Sequence, residues 1–264
     1  MIDANRSTTA ALVAGGIVIV AIAVIVIFGF VPTPEYPPLA EEPDPELSGL
    51  IAYSIPEDSD HADDFGSRCV YVIELPEGQS SEITCREEIG WSMAWTDDGW
   101  LIVESFDQFS EFEPEFHEFE PAFDDFGLVL IEPVEGGAFE TVSYEGDPNF
   151  LFSGQRQTRQ DGTRVRVEDG GTTVVLSSPD GPTRDLFRSD NAPSNYRFNE
   201  AQWSPDGEYV LVVDTEGRII VASASGDPRP RVVADTGHEY EVTMAWYLPG
   251  NATYTVDRED LNSH

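Results

Sequence analysis

The longest apolar run of the chain covers residues 10–31 and contains only aliphatic residues, phenylalanine and glycine. As a helix, these 22 residues would be about 33 Å long, enough to cross the hydrocarbon core of a bilayer, which is about 30 Å thick. The run ends without a small-x-small cleavage site, so we predict an uncleaved transmembrane anchor at residues 10–31. A pilin-like assembly helix is a weaker interpretation, because no basic-small processing pair precedes the run.

The residues on either side of this run predict its orientation and the character of the segment after it. Arg6 precedes the run, and the next basic residue is Arg68. The positive-inside tendency therefore makes residues 1–9 a short cytoplasmic tail of a single-pass cell-membrane protein, with the C-terminal domain outside. Residues 32–48 contain six prolines, which favours an extended spacer or a disordered tether that holds the folded part away from the lipid.

Residues 49–264 carry a different pattern, in which short β-rich runs alternate with Gly, Pro and Asp. This pattern is typical of an all-β domain. The predicted strands are 49–55, 69–75, 82–86, 92–96, 100–105, 127–132, 141–144, 172–177, 209–214, 218–223, 231–234, 242–247 and 253–256.

A seven-residue phrase recurs within this domain. It reads MAWTDDG at 93–99, AQWSPDG at 201–207 and MAWYLPG at 244–250, with a degenerate copy, RQDG, at 159–162. The turn glycines at 99, 162, 207 and 250 are 63, 45 and 43 residues apart. Without an insertion of about 20 residues the first interval is also close to 43, so each copy predicts one unit of four strands.

The segment from Trp203 to Gly207, which reads WSPDG, resembles the turn of the TolB-like (WD-type) β-propeller repeat. In such a turn Pro presets φ, Asp caps the turn, Gly accepts a positive φ, and Trp fills the space between blades. The resemblance covers about residues 49–256 and implies a β-propeller-like fold of four to five blades. It implies no catalytic residue, because such propellers serve as interaction platforms, ligand binders and companions of hydrolase domains.

The number of strands does not fit a simple closed propeller. We expect three strands before the first full unit, three units of four and two strands after the last, which makes 17 and suits neither four blades nor five. C-terminal strands that complete the N-terminal blade would resolve the mismatch. Otherwise one edge stays open for a partner strand, and a β-sandwich is the alternative fold.

The composition narrows the class of partner. The chain has 50 acidic residues against 14 basic ones, all of them Arg, and a formal net charge of −36. A nucleic-acid partner is excluded, because nucleic acid attracts clustered Lys and Arg. Concentrated salt would screen the self-repulsion of such a chain, so we predict a halophilic source; an acidic exported protein of a high-GC organism is the alternative.

Cys69 and Cys85 are the only cysteines of the chain. If residues 76–79 turn a hairpin, paired positions sum to 154, so that 73 faces 81, 71 faces 83 and Cys69 faces Cys85. We therefore predict a Cys69–Cys85 disulfide, in agreement with an oxidising location outside the cell. Two buried free thiols are the alternative, and zinc binding is not expected with this spacing and no nearby His.

The segment 58–64 is predicted to be an acidic loop. It superficially resembles a calcium loop, but Ala62 and Asp63 stand where an EF-hand requires a ligand and a glycine. We expect a solvated loop and no cofactor. A weak Ca²⁺ site is the alternative, with candidate ligands Asp58, Asp60, Asp63 and Asp64, and a metal site shared by His61 and His117 is more remote.

The most distinctive stretch is a Phe/Glu-rich insertion at 106–126, where phenylalanines recur every three or four residues. This spacing lines one helical face, although Pro114 and Pro121 argue against one continuous helix. One interpretation is a loop that buries its Phe face on the domain. The other is a docking element for a protein partner, with candidate contacts Phe109, Phe112, Phe116, Phe119 and Phe123.

The functional interpretation rests on what the domain offers for chemistry. Four His, no Lys and no nucleophile elbow leave little for covalent catalysis. We expect a non-catalytic, extracytoplasmic protein-interaction module or accessory subunit of a cell-envelope complex. A solute- or Ca²⁺-binding surface module is the alternative, and a hydrolase-like enzyme is less favoured. Asn251, in an Asn-Ala-Thr sequon, is a candidate glycosylation site if the host glycosylates exported proteins.

Overall fold

The computed structural model describes residues 46–57, 67–86, 89–105, 127–143, 156–189, 195–238 and 242–263, all within one compact unit. The described residues form 17 strands and a 3-10 helix, Arg258–Asp260. The strands are β1 Gly49–Pro56, β2 Arg68–Leu75, β3 Gln79–Arg86, β4 Ile89–Thr96, β5 Leu101–Ser105, β6 Gly127–Ile131, β7 Phe139–Ser143, β8 Arg164–Glu168, β9 Thr173–Ser177, β10 Arg184–Arg188, β11 Phe198–Trp203, β12 Tyr209–Asp214, β13 Arg218–Ser223, β14 Arg231–Asp235, β15 Thr243–Tyr247, β16 Thr255–Val256 and β17 Asn262–Ser263.

These strands build four sheets. Sheet I has the order β15–β1–β2–β3, sheet II the order β16–β4–β5–β6–β7–β17, sheet III the order β10–β9–β8, and sheet IV the order β11–β12–β13–β14. The pairings are antiparallel except for β16, which runs parallel to β4. The all-β class is therefore confirmed.

All 13 predicted strands are present, within three residues at each end. Four further strands, β8, β10, β11 and β17, were not predicted. Strands β8 and β10, with the sequences RVRVE and RDLFR, begin with Arg and are short, and β11 carries polar Asn, Glu and Gln. Strand β8 alternates over only five residues, and β10 and β11 do not alternate, so these strands depend on neighbouring strands in the fold for their pairing.

The repeated turns are confirmed. The glycines at 99, 162, 207 and 250 all have positive φ, between 72° and 89°. In the second full copy Asp206 accepts hydrogen bonds from the Ser204 hydroxyl (2.5 Å) and the Glu208 amide (3.0 Å). The degenerate copy keeps this chemistry, because Asp161 accepts from the Thr163 amide at 2.9 Å. The repeat thus preserves the turn even where its Trp is missing.

Strand β1 of sheet I is buried on both faces. One face of β1, with Ile51 and Tyr53, belongs to a core shared with β12 and β13 of sheet IV, which contribute Leu211 and Ile219. The intervening Ala52 belongs to a second core, shared with β4 and β5 of sheet II. This double burial explains why β1 reads as a nearly continuous apolar run rather than as an alternating one.

The C-terminal strands return to the earlier sheets. Strand β15 pairs with β1, with Ala52 opposite Ala245, so of the two alternatives a C-terminal strand completes the N-terminal sheet. Strands β16 and β17 lie at the two edges of sheet II. Between them Leu261 is buried against a third core of sheet II, which includes Ile102 and Leu128.

Cys69 and Cys85 form the predicted disulfide, with Cα atoms 3.9 Å apart. They are directly opposed on β2 and β3, as expected, but the predicted pairings nearer the turn are wrong by one residue. Ile73 faces Ser80 and Tyr71 faces Glu82, so these pairs sum to 153. A register shift between Val70 and Tyr71 restores the sum of 154 at the cysteines.

Several predictions fall outside the described residues. These are the anchor at 10–31, nearly all of the spacer, the candidate calcium loop with Asp58, Asp60, Asp63 and Asp64, both histidines considered for a metal, and the Phe/Glu-rich insertion at 106–126. Among the residues that are described, no helix has the length and apolar character needed to cross a bilayer.

Candidate functional site

Arg156 is buried and hydrogen-bonds to three of the four sheets, to two through its guanidinium and to one through its backbone carbonyl. Its Nη1 donates to the Met244 carbonyl of β15 at 3.1 Å, and its Nη2 donates to the Met93 carbonyl of β4 at 2.5 Å. The Arg156 carbonyl accepts from the Trp203 amide of β11 at 2.7 Å. Burial lowers the pKa of Arg156 to about 10, an effect that the charge of Glu200 partly offsets, so the group remains a cation at neutral pH.

The positions that meet at Arg156 are equivalent in the repeat. Counting six residues back from each turn glycine gives Met93, Arg156, Ala201 and Met244. Arg156 therefore donates to the carbonyls of two of its own repeat counterparts. The sequence therefore carries a sign of this site, because Arg156 stands where two other copies have Met. It is hard to detect, since only the last four residues of this copy, RQDG at 159–162, resemble the repeat.

The Trp of each full copy contacts a residue outside its own sheet. Trp95 of sheet II donates from Nε1 to the Ala245 carbonyl of sheet I at 3.0 Å. Trp246 of sheet I packs on Tyr209 of sheet IV, with ring centroids 6.2 Å apart. Trp203 of sheet IV lies under the guanidinium of Arg159, 5.0 Å from the ring centroid. The expectation that these Trp residues fill the space between sheets is confirmed.

Three repeat turns meet around an open cleft of about 450 Å³, which we call the turn cleft. Its lining residues come from the turns of the degenerate copy, of the WSPDG copy and of the C-terminal copy: Arg159, Gln160, Asp161, Pro205, Asp206, Gly207, Asn251, Thr253 and Tyr254. The Arg159 guanidinium donates to the Gly207 carbonyl at 3.2 Å. Gly207 is needed there, since a Cβ would lie 2.7 Å from the Arg159 side chain and φ is +72°.

The acidic groups of the turn cleft are engaged in building it. Asp161 pairs with Arg159 through both Nε and Nη2, and this hydrogen bonding holds the pKa of the Asp161 carboxyl well below its usual range. Asp206 holds its own turn through the Ser204 hydroxyl and the Glu208 amide. The groups left to face a ligand are therefore mainly neutral donors and acceptors, such as the exposed side chain of Gln160.

Tyr254 is the most constrained residue of the turn cleft. Its φ is +64°, in the left-handed region that non-glycine residues rarely adopt. Its hydroxyl donates to the Thr158 carbonyl at 3.1 Å, and burial raises the pKa of Tyr254 to about 12. Strained residues of this kind are enriched at binding sites, and the strand pattern gave no indication of this one.

The candidate glycosylation residue lies in the same cleft. Asn251 accepts a hydrogen bond at Oδ1 from the Thr253 amide at 2.9 Å, and it is partly exposed. Of the site residues predicted from the sequence, Asn251, Cys69 and Cys85 are the ones within the described part of the chain. The disulfide pair lies in sheet I and does not line the turn cleft.

A second, smaller cavity of about 250 Å³ lies between sheets III and IV, and we call it the intersheet cleft. It is lined by Arg159, Thr163, Leu176, Ser178, Pro182, Arg184, Trp203 and Ala224. No carboxylate is among these residues, although acidic residues make up 50 of the 264 in the chain.

Comparison with known proteins gives little beyond this description. No family model matches the chain, and no curated protein matches it. Among solved structures, the chain is similar to the crystal structure of TolB from Acinetobacter baumannii, a β-propeller protein, with 14% identity and a TM-score of 0.25. The match covers 72% of this chain and 43% of that one, so this chain spans less than half of its length. At this TM-score the similarity carries no argument about activity or partners.

Proposed function

We propose that this chain is a membrane-anchored, non-catalytic interaction module outside the cell, in which the four sheets act as the blades of a propeller and the turn cleft receives a protein partner. The observation that carries the proposal is the convergence of three repeat turns on one open, polar cleft. A partner that bound there would contact three sheets at once.

The blade arrangement is supported by the contacts between sheets. The repeat Trp residues join sheet II to I and sheet I to IV, and Trp203 of sheet IV contacts Arg159 in the turn that precedes sheet III. Arg156, which precedes β8 of sheet III, adds hydrogen bonds to sheet II through the Met93 carbonyl, to sheet I through the Met244 carbonyl and to sheet IV through the Trp203 amide. Strand β15 in sheet I then plays the part of the C-terminal strand that completes an N-terminal blade.

The chemistry of the turn cleft favours binding over catalysis. Asp161 and Asp206 are the carboxylates of its lining, and both are committed to hydrogen bonds within their turns. Convergent nucleophiles and bases are what a catalytic site requires. Amide and hydroxyl groups on an open surface instead suit a polar protein interface, where hydrogen bonds and bridging waters fix the partner.

Site-specific photo-crosslinking tests this proposal. A photoreactive residue replaces Gln160, which is exposed in the turn cleft, in the full chain in native membranes. Gln79, equally exposed at the start of β3 in sheet I, is the matched control. We expect one discrete adduct from position 160 and none from position 79. No adduct from position 160, or the same adducts from both positions, would contradict the assignment of the turn cleft.

The Phe/Glu-rich insertion at 106–126 is a separate proposed contact for the partner. The chain without residues 106–126 distinguishes its two interpretations. If the insertion docks a partner, the deleted chain stays folded but loses crosslinking. If it is instead a loop that completes the fold, the free energy of unfolding falls, and the docking proposal fails.

A further inference from the structure

We propose that the intersheet cleft is a binding site for a carboxylate that is carried on a small apolar body. This inference goes beyond the proposed interaction module and does not rest on it. The cleft holds a different set of groups, with Arg159 as the one residue that lines both cavities.

The charge of the intersheet cleft favours an anion. Arg184 begins β10, and its Nη2 donates at 2.6 Å to the carbonyl of Ala224, which directly follows β13 of sheet IV; this holds the guanidinium at the cleft. Arg184 has no ion pair with any acidic residue in the described ranges. Arg159, by contrast, is neutralised by Asp161. Arg184 thus offers a guanidinium that no described carboxylate neutralises, with N–H groups besides the Ala224 contact for a ligand carboxylate.

A second observation points to an acceptor in the cleft. The side chain of Trp203 is 1% exposed, and its Nε1 has no hydrogen-bond partner within the described part of the chain. Its repeat counterparts do have acceptors, since Trp95 donates to the Ala245 carbonyl and Trp246 to the Ser48 carbonyl. A buried donor without an acceptor is costly, and a ligand oxygen in the cleft would relieve that cost.

The indole N–H is itself closed to solvent, so the cleft has to adjust before an acceptor can reach it. Arg159 is the adjustable part, because its side chain lies over the Trp203 ring and is 38% exposed. Ion pairs of such exposed groups contribute little stability. A shift of Arg159 gives up its contacts with Asp161 and with the Gly207 carbonyl, and a hydrogen bond from the indole to a ligand oxygen offsets part of that loss.

The remaining lining sets the size and the character of the ligand. A volume of about 250 Å³ is below the usual range for drug-sized ligands, which limits the ligand to a single ring or a short branched chain. Leu176, Pro182 and the Trp203 ring supply apolar contacts, whereas Thr163 and Ser178 supply hydroxyl donors. The carboxylate could come from a free organic acid or from the C-terminus of a polypeptide.

Binding of benzoate to the full chain in detergent tests the proposal, measured by calorimetry and by the indole N–H resonances of isotope-labelled protein. Benzamide, which has the same ring without the charge, is the control ligand. Arg184→Gln removes the cation, and Arg164→Gln, at an exposed position on β8 outside the cleft, is the matched control variant. Trp203→Phe serves to assign the indole resonance.

We expect benzoate to bind saturably, benzamide and inorganic phosphate to bind at least tenfold more weakly, and the Trp203 indole resonance to shift. Arg184→Gln should lower the affinity for benzoate at least tenfold, and Arg164→Gln should lower it less than twofold. Equal affinity for benzoate and benzamide or phosphate, equal effects of the two variants, or an unshifted Trp203 resonance would each overturn the proposal. An N-acetylated dipeptide ending in Phe decides the source: tighter binding than benzoate assigns the carboxylate to a polypeptide terminus, and weaker binding assigns it to a free acid.

Discussion

At the scale of single residues, Arg156 is the side chain whose loss should affect the fold most. Arg156→Ala removes two hydrogen bonds to buried carbonyls and leaves a cavity, so we expect the free energy of unfolding to fall by about 3 kcal/mol. Arg156→Met, which restores the residue found at two equivalent repeat positions, fills the space without a buried charge. We expect it to recover at least half of that loss, as measured by denaturant unfolding.

The two variants separate packing from hydrogen bonding. The Met244 carbonyl keeps a donor in both variants, because Gln202 Nε2 also donates to it at 3.1 Å. If Arg156→Met were as unstable as Arg156→Ala, the hydrogen bond to Met93 rather than the filled volume would hold the sheets together. If neither variant were destabilised, the hydrogen bonds of Arg156 to β4 and β15 would not be what holds these sheets together.

Residue-scale prediction from the sequence succeeded where a short-range rule applied. The Cys69–Cys85 pair follows from hairpin pairing. Its prediction is correct although the pairs nearer the turn were predicted one residue out of register, because the turn is one residue tighter and a bulge compensates for it. The pairing of Arg156 with carbonyls of other sheets could not be predicted, because those contacts join positions 63 and 88 residues away. The same holds for Tyr254, whose positive φ depends on the turns packed around it.

At the scale of elements, residues 255–263 form a strap across sheet II. Strand β16 pairs with β4 at one edge, and β17 pairs with β7 at the other. Arg258 lies between them and pairs with Asp98 and Glu140, both at 3.1 Å, while its guanidinium lies 4.1 Å from the Trp100 ring centroid. The strap thus covers a sheet face that would otherwise expose apolar residues such as Leu128.

Arg258→Gln tests how firmly the strap is held. These ion pairs are partly exposed and screened by solvent, so we expect a loss of about 1 kcal/mol in the free energy of unfolding. Amide exchange at residues 255–263 should also accelerate. Arg229→Gln breaks the far more exposed pair with Asp227 and should change neither quantity. Equal behaviour of the two variants would show that β-pairing and Leu261 alone hold the strap.

Strands could be predicted from the sequence where their own residues form a clear apolar run. Apolar strands such as β12 and β13 matched their predicted bounds, because both are buried almost throughout. Strands β8 and β10 expose several of their residues and become strands through pairing with the buried β9. Of the two strands of the strap, only β16 could be predicted from the sequence. Strand β17 is two residues long and forms through its pairing with β7.

At the scale of the whole molecule, the net charge of −36 is the dominant feature, and it predicts the response of the fold to salt. Repulsion between like charges opposes the compact state, and the Debye length falls from about 10 Å at 0.1 M salt to about 3 Å at 1 M. We expect the free energy of unfolding to rise steeply over this range and then to level off.

Screening depends on ionic strength, whereas preferential exclusion depends on the identity of the anion. Sodium chloride and sodium sulfate at equal ionic strength should therefore raise the free energy of unfolding equally below 1 M. A clearly larger effect of sulfate would mean that salt does not act by screening the repulsion between acidic groups. The halophilic interpretation of the composition would then lose its physical basis.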